Sequence, residues 1–313
     1  MNLASQLDRY LAVRRSLGYD LRTSERVLRR FVRFADDAGA QHIDTGLFLR
    51  WNASQPAAGS STRSARLGMV RLFALWLSSA DPAHEAPPRG LLPDRTMRKR
   101  PYIYSKAEIG DIIAAASELP STYGMRGLTC STFFGLIAVT GLRISEALAL
   151  DTDDLDAATG VLRVRHGKLG KERLLPLDPT VAEQLIAYVT ERDRLLDRAS
   201  EPLFVRCDGA RLSEWSARAS FARISRTVGL REYSRLKRHG NGPRIHDLRH
   251  SFAVRTMIDW YRADKDPARE MIRLTTWLGH ASPDHTFWYI EAVPELLELA
   301  MARATRLGRE AEQ

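Results

Sequence analysis

Cysteine is almost missing from this chain. Cys130 and Cys207 are the only two in 313 residues, too few for a disulfide framework, and a reducing cytosol is the expected compartment. Lysine is scarce too, with six residues (99, 106, 168, 171, 237 and 265), so most of the 47 basic side chains are arginine. No apolar run approaches the ~20 residues of a membrane span; the longest lies around Phe133 to Thr140. Met1-Asn2-Leu3 opens no basic region followed by an apolar one, so no secretion signal is expected. Also missing are the GxxxxGK[ST] phosphate loop, a GxGxxG after a strand, any CxxC, and the GxSxG nucleophile elbow. Nucleotide hydrolysis and dinucleotide cofactors therefore have no support. With 44% apolar and 27% charged residues, the composition is that of a globular chain rather than a disordered one.

What is present is positive charge, unevenly placed. The net charge is +9. Residues 1–83 carry 12 basic and 7 acidic side chains, and residues 84–101 carry 5 and 2. The rest is nearly balanced, with 30 and 29. Residues 84–101 are also rich in proline (Pro87, Pro88, Pro93, just after Pro82) and end in Arg95-Thr96-Met97-Arg98-Lys99-Arg100. Proline there makes a poor helix or strand, so the stretch is expected to be an interdomain linker. A basic linker can track a polyanion as well as join two domains.

The front domain, 1–83, reads as helices only. Leu3, Leu7, Tyr10, Leu11 and Leu17 repeat at helical spacing and stop before Gly18. Val27, Leu28, Phe31, Phe34 and Ala35 do the same before Gly39, and Leu67, Val70, Phe73, Ala74 and Leu77 form a third stripe. With a shorter helix around Thr45 to Asn52, this predicts a small bundle. Arginines line its outer faces: 14, 15, 22, 26, 29, 30 and 33, then Arg63, Arg66 and Arg71.

The second domain, 102–313, is mixed. Ser105-Lys106-Ala107-Glu108 predicts a capping box. A long apolar helix from about Tyr123 to Thr140 ends at Gly141, and another runs from about Arg143 to Leu150. Val161 to Arg165 and Glu172 to Pro176 alternate as strands around His166-Gly167-Lys168-Leu169-Gly170-Lys171, a hairpin. Further helices are expected at 180–197, 213–228, 246–260, 266–278 and 292–307. The fold class is α+β: an all-α bundle followed by a mostly helical domain with a small antiparallel sheet.

Chemistry concentrates in His246-Asp247-Leu248-Arg249-His250, whose His246, Arg249 and His250 share one helix face. HxxxH invites zinc, but the zinc-protease pattern needs Glu after the first His, and Asp247 stands there beside an Arg. His and Arg on one face suit a phosphate better. Arg143 opens a helix after Gly141, where the macrodipole disfavours a cation, which argues for a functional reason. Lys168 sits at a glycine-flanked hairpin tip. Leu278-Gly279-His280 ends a helix, and Tyr289 follows nine residues later.

Taken together, Arg143 in TGLRISEAL, Lys168 on the hairpin, HDLRH at 246–250, LGH at 278–280 and Tyr289 resemble the tyrosine recombinase (phage integrase) family. The resemblance spans about 102–305. The front bundle is similar to the family's SAM-like core-binding domain, and the nearest kinds are transposon, integron and chromosome-dimer-resolving recombinases. The resemblance implies site-specific DNA recombination through a 3′-phosphotyrosyl intermediate, integrating or excising a mobile element, with neither cofactor nor metal. It assigns Tyr289 as nucleophile, and Arg143 and Arg249 as clamps on the charge that grows on the phosphate. Lys168 is implied as the acid for the leaving oxygen. His246 is implied to take the tyrosine proton or bond the phosphate, and His280 to bond the phosphate. Glu146 and His250 are implied as supports. Arg63, Arg66, Arg71, Arg98, Lys99 and Arg100 are the DNA-binding candidates. Implied partners are double-stranded DNA, a homo-tetramer on it (the free protein being monomeric), and sibling recombinases or accessory proteins, but no membrane.

Three other readings compete: a type IB topoisomerase, a catalytically idle DNA-binding relative, and a zinc hydrolase. The last helix discriminates the first. Leu296, Leu299, Ala300, Ala304 and Leu307 form an apolar stripe with no evident partner in its own chain. That predicts donation to a neighbouring subunit, which a recombinase tetramer needs and a monomeric topoisomerase does not. Docking on its own chain is the alternative.

Overall fold

A computed structural model describes residues 2–92, 100–165, 172–232, 242–279, 282, 286–287, 289 and 293–311. Lys168, His280, Arg98 and Lys99 lie outside the described residues. The chain divides into two compact units, Met1–Lys99 and Arg100–Gln313.

The first unit holds α1 (Leu3–Ser16), α2 (Arg22–Asp37), α3 (Thr45–Ser54) and α4 (Ser60–Ser78). Asn2 and Asp44 cap the starts of α1 and α3, accepting from the N–H groups of Ser5 and Leu47. The stripes read from the sequence meet in one core, where Phe31 packs edge-on against Trp51 at 5.2 Å and Tyr10 lies tilted against Phe73 at 5.3 Å. The Pro-rich stretch begins as part of this unit. Glu85 N–H donates to Ile43 O, Ile43 N–H to His84 Nδ1, and Arg71 Nη1 to Pro87 O, while Ala86, Leu91 and Leu92 pack on the core.

The second unit opens with α5 (Lys106–Ser117), started by the expected box between Ser105 and Glu108. Next come α6 (Met125–Thr140) and the short α7 (Ile144–Leu148). Three antiparallel strands follow in the order β1 (Leu155–Asp156), β2 (Val161–Val164) and β3 (Arg173–Pro176). Leu162 of β2 lies opposite Leu155 on one side and Leu175 on the other. The remaining elements are α8 (Pro179–Leu196), α9 (Glu214–Thr227), α10 (Ile245–Arg262), α11 (Pro267–Leu278) and α12 (Pro294–Ala311). The α+β class expected from the sequence is present. No described helix is long and apolar enough to cross a membrane.

Two features of this unit place the site. The long apolar α6 is buried on most of its surface, so it forms the axis on which α5, α8 and α10 pack. Both α6 and α11 end at a glycine in the left-handed region, Gly141 (φ 66°) and Gly279 (φ 61°). The Trp277 indole donates to Thr140 O at 2.7 Å, which ties the two ends together.

The C-terminal helix differs from expectation. Rather than lacking a partner in its own chain, α12 docks on α10: Leu296 is fully buried among Ala253, Val254 and Met257, and Leu299 packs at its edge. Arg262 with Glu295 and Arg303 with Asp264 close the contact by ion pairs. The sequence shows that a helix has an apolar stripe; it does not show which surface receives it. Leu297 and Met301 stay exposed on the outer side.

Candidate active site

Arg143 and Arg249 come from separate elements, and the two glycine-capped helix ends bring them together, while Tyr289 meets α10 through His250. Arg143 is the N-cap of α7. Its backbone N–H donates to Glu146 Oε2 at 3.0 Å, so the carboxylate three residues on closes the helix start. Arg244 and Asp247 repeat the arrangement at the start of α10, 2.7 Å apart. In both motifs the acidic residue thus has a local structural task.

The arginine side chains are held by main-chain oxygens. Arg249, buried, donates to Gly141 O at 2.6 Å and Leu278 O at 2.7 Å. Arg143 donates to Gly279 O at 2.9 Å and Glu146 Oε1 at 2.6 Å. The three carbonyls, of Gly141, Leu278 and Gly279, lie at the C-terminal ends of α6 and α11, where they lack intrahelical partners and sit at the negative end of the helix dipole. Burial, and next the charge of Arg143, lower the Arg249 pKa to about 9, which leaves it protonated at neutral pH.

A third arginine, Arg173 of β3, completes the cluster. Its Nη1 and Nη2 reach Glu146 Oε1 and Oε2 at 3.1 and 2.7 Å, and its Nε donates to Trp277 O at 2.8 Å. Sequence reasoning missed it, taking Arg173 as one residue of an alternating strand. Burial pushes the Glu146 carboxyl up, but hydrogen bonds from Arg173 and the Arg143 N–H, with the charges of both, outweigh it and leave the pKa lowered.

On α10, His246 and His250 stand one turn apart with rings in edge contact at 4.5 Å. His250 Nδ1 lies 2.6 Å from the hydroxyl of Tyr289. Tyr289 itself is only 2% exposed, within the cluster formed by α10, α11 and α12. His246 is exposed at the surface. Partial loss of hydration, followed by the positive charge of Arg249, nevertheless pushes its pKa down to about 4. Arg143, Glu146, His246, Arg249, His250 and Tyr289 therefore share one region.

The arginines of α1 and α2 separate from the DNA-binding candidates. Many arginines of α1 and α2 already have partners: Arg15 and Arg29 share Glu25, Arg29 also reaches Asp8, and Arg22 pairs with Asp20. Arg63 and Arg66 on α4 have no ion pair among the described residues. Arg71 is engaged at Pro87, and Arg100 is exposed.

Residues 104–295 match the Phage integrase family. The chain is 40% identical over 302 residues to the integrase/recombinase y4rB of Sinorhizobium fredii, covering 95% of each. It is 31% identical over 281 residues to the tyrosine recombinase XerC of Rhodospirillum centenum, covering 88% of this chain and 76% of that one. Among solved structures, the Tn1549 transposon integrase in complex with transposon right end DNA shares the fold. Its TM-score is 0.67 at 15% identity, covering 98% of this chain and 100% of that one.

Proposed function

Because the chain belongs to the phage integrase family and is a DNA breaking-and-rejoining enzyme of site-specific recombination, we propose that Tyr289 is its nucleophile and that Arg143 and Arg249 hold the scissile phosphate. The observation that carries this is the 2.6 Å contact of the Tyr289 hydroxyl with His250, in the same cluster as two arginines braced by helix-end carbonyls.

In the proposed reaction, His250 Nδ1 takes the phenolic proton as the Tyr289 oxygen attacks phosphorus. The bond to the 5′ oxygen breaks, a 3′-phosphotyrosyl link forms, and Lys168 gives the leaving oxygen its proton. The covalent link conserves the phosphodiester, so a 5′-hydroxyl from another strand can reverse each step without ATP. Charge growing on the non-bridging oxygens is held by the two guanidinium forks, with no metal or cofactor in the scheme. His246 and His280 donate hydrogen bonds to the phosphate. That role fits a neutral His246 better than accepting the tyrosine proton, because loss of hydration, and next the charge of Arg249, disfavour a positive charge there.

The wider reading is integration and excision of a mobile element in the cytoplasm, supported by the likeness to a transposon integrase. Resolution rather than integration is the second reading, for which the likeness to the tyrosine recombinase XerC is the support. Duplex DNA is the partner, as in the neighbour solved with transposon DNA, gripped by Arg63, Arg66, Arg71, Arg98 and Lys99 of the first unit and by Arg100 at the start of the second. A homo-tetramer assembles on it, with sibling or accessory proteins as further partners. The docked α12 belongs to the free monomer, and its transfer to a neighbour accompanies assembly. Truncation after Glu291 should then abolish synapsis; full recombination by the truncated protein would exclude that role. A suicide substrate should trap protein on DNA in EDTA, and Tyr289→Phe should not. An adduct formed by that variant would show the nucleophile to be another residue.

A further inference from the structure

Glu146 is a buried carboxylate between two guanidinium groups, with its side chain 1% exposed. A carboxylate offers roughly four acceptor sites. Here Oε1 takes Arg143 Nη1 and Arg173 Nη1, and Oε2 takes the Arg143 N–H and Arg173 Nη2. Remove Arg173, and half of these bonds and one of two counter-charges disappear from a buried anion. Such a loss leaves an uncompensated group that must move or draw in water.

Arg173 also reaches the end of α11 through Trp277 O. The carbonyls of residues 277, 278 and 279 are thus each taken by a different arginine: Arg173, Arg249 and Arg143. A side-chain carbon placed at Gly279 would come 2.9 Å from Arg173 Nη1 and 3.6 Å from Arg143 Nη1, so both guanidinium groups flank that glycine. Three of the five N–H donors of Arg173 are engaged within its own chain, and its side chain is 11% exposed. This is the geometry of a brace, with its donors turned towards the protein.

We propose that Arg173 is a positioning residue for strand cleavage: by clamping Glu146 and the end of α11, it fixes the Arg143 guanidinium where the scissile phosphate must lie. The inference rests on Arg143 being a phosphate ligand. Without the clamp, Glu146 and Arg143 can pair in other rotamers, and a misplacement near 1 Å costs on the order of 100-fold in rate.

The test uses full-length protein and a suicide substrate under single-turnover conditions, with DNA affinity and melting temperature measured in parallel. Arg173→Lys keeps the charge but loses the fork. It should cleave roughly 10- to 100-fold more slowly, with affinity and melting temperature near those of the unaltered protein. The double variant Arg143→Ala/Arg173→Lys should be no slower than Arg143→Ala alone, because the brace then has nothing to position. Independent, multiplying losses would overturn the proposal, since they would mean that Arg173 meets the DNA itself. Unaltered cleavage by Arg173→Lys would overturn it too, as would a rate loss matched by an equal loss of affinity. If instead Arg143→Ala cleaves normally, the assignment of Arg143 fails, and the clamp has no catalytic purpose.

Discussion

The Tyr289 hydroxyl and His250 Nδ1 are 2.6 Å apart, and their rings meet at 5.3 Å with an interplanar angle of 63°. A neutral imidazole whose Nδ1 faces a phenol can accept its proton while donating from Nε2. Replacing His250 by Ala should slow cleavage by about 10²–10³, in the range of general base catalysis. DNA affinity should change little, because the residue faces Tyr289. Measuring both on one suicide substrate decides the matter: cleavage within about threefold of wild type would remove His250 from the proton path.

Arg143 and Arg249 should affect the chemical step far more than binding. Each holds charge that grows only as the phosphate is attacked. Arg143→Ala or Arg249→Ala should reduce the cleavage rate on the order of 10²–10³-fold, by analogy with losing an oxyanion donor. Comparable losses in affinity and rate would mark them as ordinary DNA anchors.

His246 predicts an acid-side loss of stability. Its folded pKa lies below the ordinary 6.5, so the unfolded chain binds the extra proton first. The stabilising contribution is complete above 6.5 and falls away as the pH drops towards the folded value of about 4. His246→Asn should flatten that part of the curve when denaturation midpoints are compared with wild type. His84, also lowered by burial, contributes equally to both proteins and cancels. A variant with the same slope as wild type would contradict the assignment.

The two capping glycines should fail differently. At Gly141 an added carbon would sit 2.5 Å from Phe252 Cδ1 and 3.0 Å from Leu278, inside packed side chains. At Gly279 it would meet the ends of flexible arginines. Both sites also carry left-handed strain of about 1 kcal/mol or more for alanine. Gly141→Ala should therefore show the greater fall in melting temperature. Gly279→Ala should lose mainly cleavage rate, by displacing the Arg173 and Arg143 guanidinium groups. The reverse order in thermal denaturation would refute this.

The first unit should supply most of the DNA affinity, since residues 1–99 carry 16 basic and 9 acidic side chains, most of the net +9. Binding should weaken steeply with salt. The informative truncation begins at Arg100 rather than after residue 83, because Ala86, Leu91 and Leu92 pack on the first unit's core. A catalytic fragment that binds DNA as tightly as the whole chain would disprove the division of labour.

Much of this molecule was legible from periodicity and spacing. The apolar stripes located the helices, and alternation around a glycine-rich turn located β2 and β3. β1 escaped because a strand of two residues is too short to alternate. Arg143, Glu146, His246, Arg249, His250 and Tyr289 stood out through their motifs. Arg173 did not, because its meaning lies in a bond to Glu146, 27 residues away, and in a carbonyl of α11. The one local hint was an arginine in a strand whose next residue, Leu174, faces solvent. The docking of residues 84–92 was equally hidden, since proline content forbids a helix without forbidding a packed, irregular segment. The partner of α12 was hidden for the same reason, because an apolar stripe does not name its acceptor.

The tethering of Arg143, Arg173 and Arg249 to the end of α11 has an entropic consequence. A free arginine side chain carries roughly 2 kcal/mol of rotamer entropy. These three lose most of theirs when the chain folds, since each is bonded to at least one main-chain oxygen. A phosphate arriving at the site has no loose guanidinium groups left to immobilise. The ordering that a flexible cluster would undergo on the way to the transition state has already been completed in the free protein.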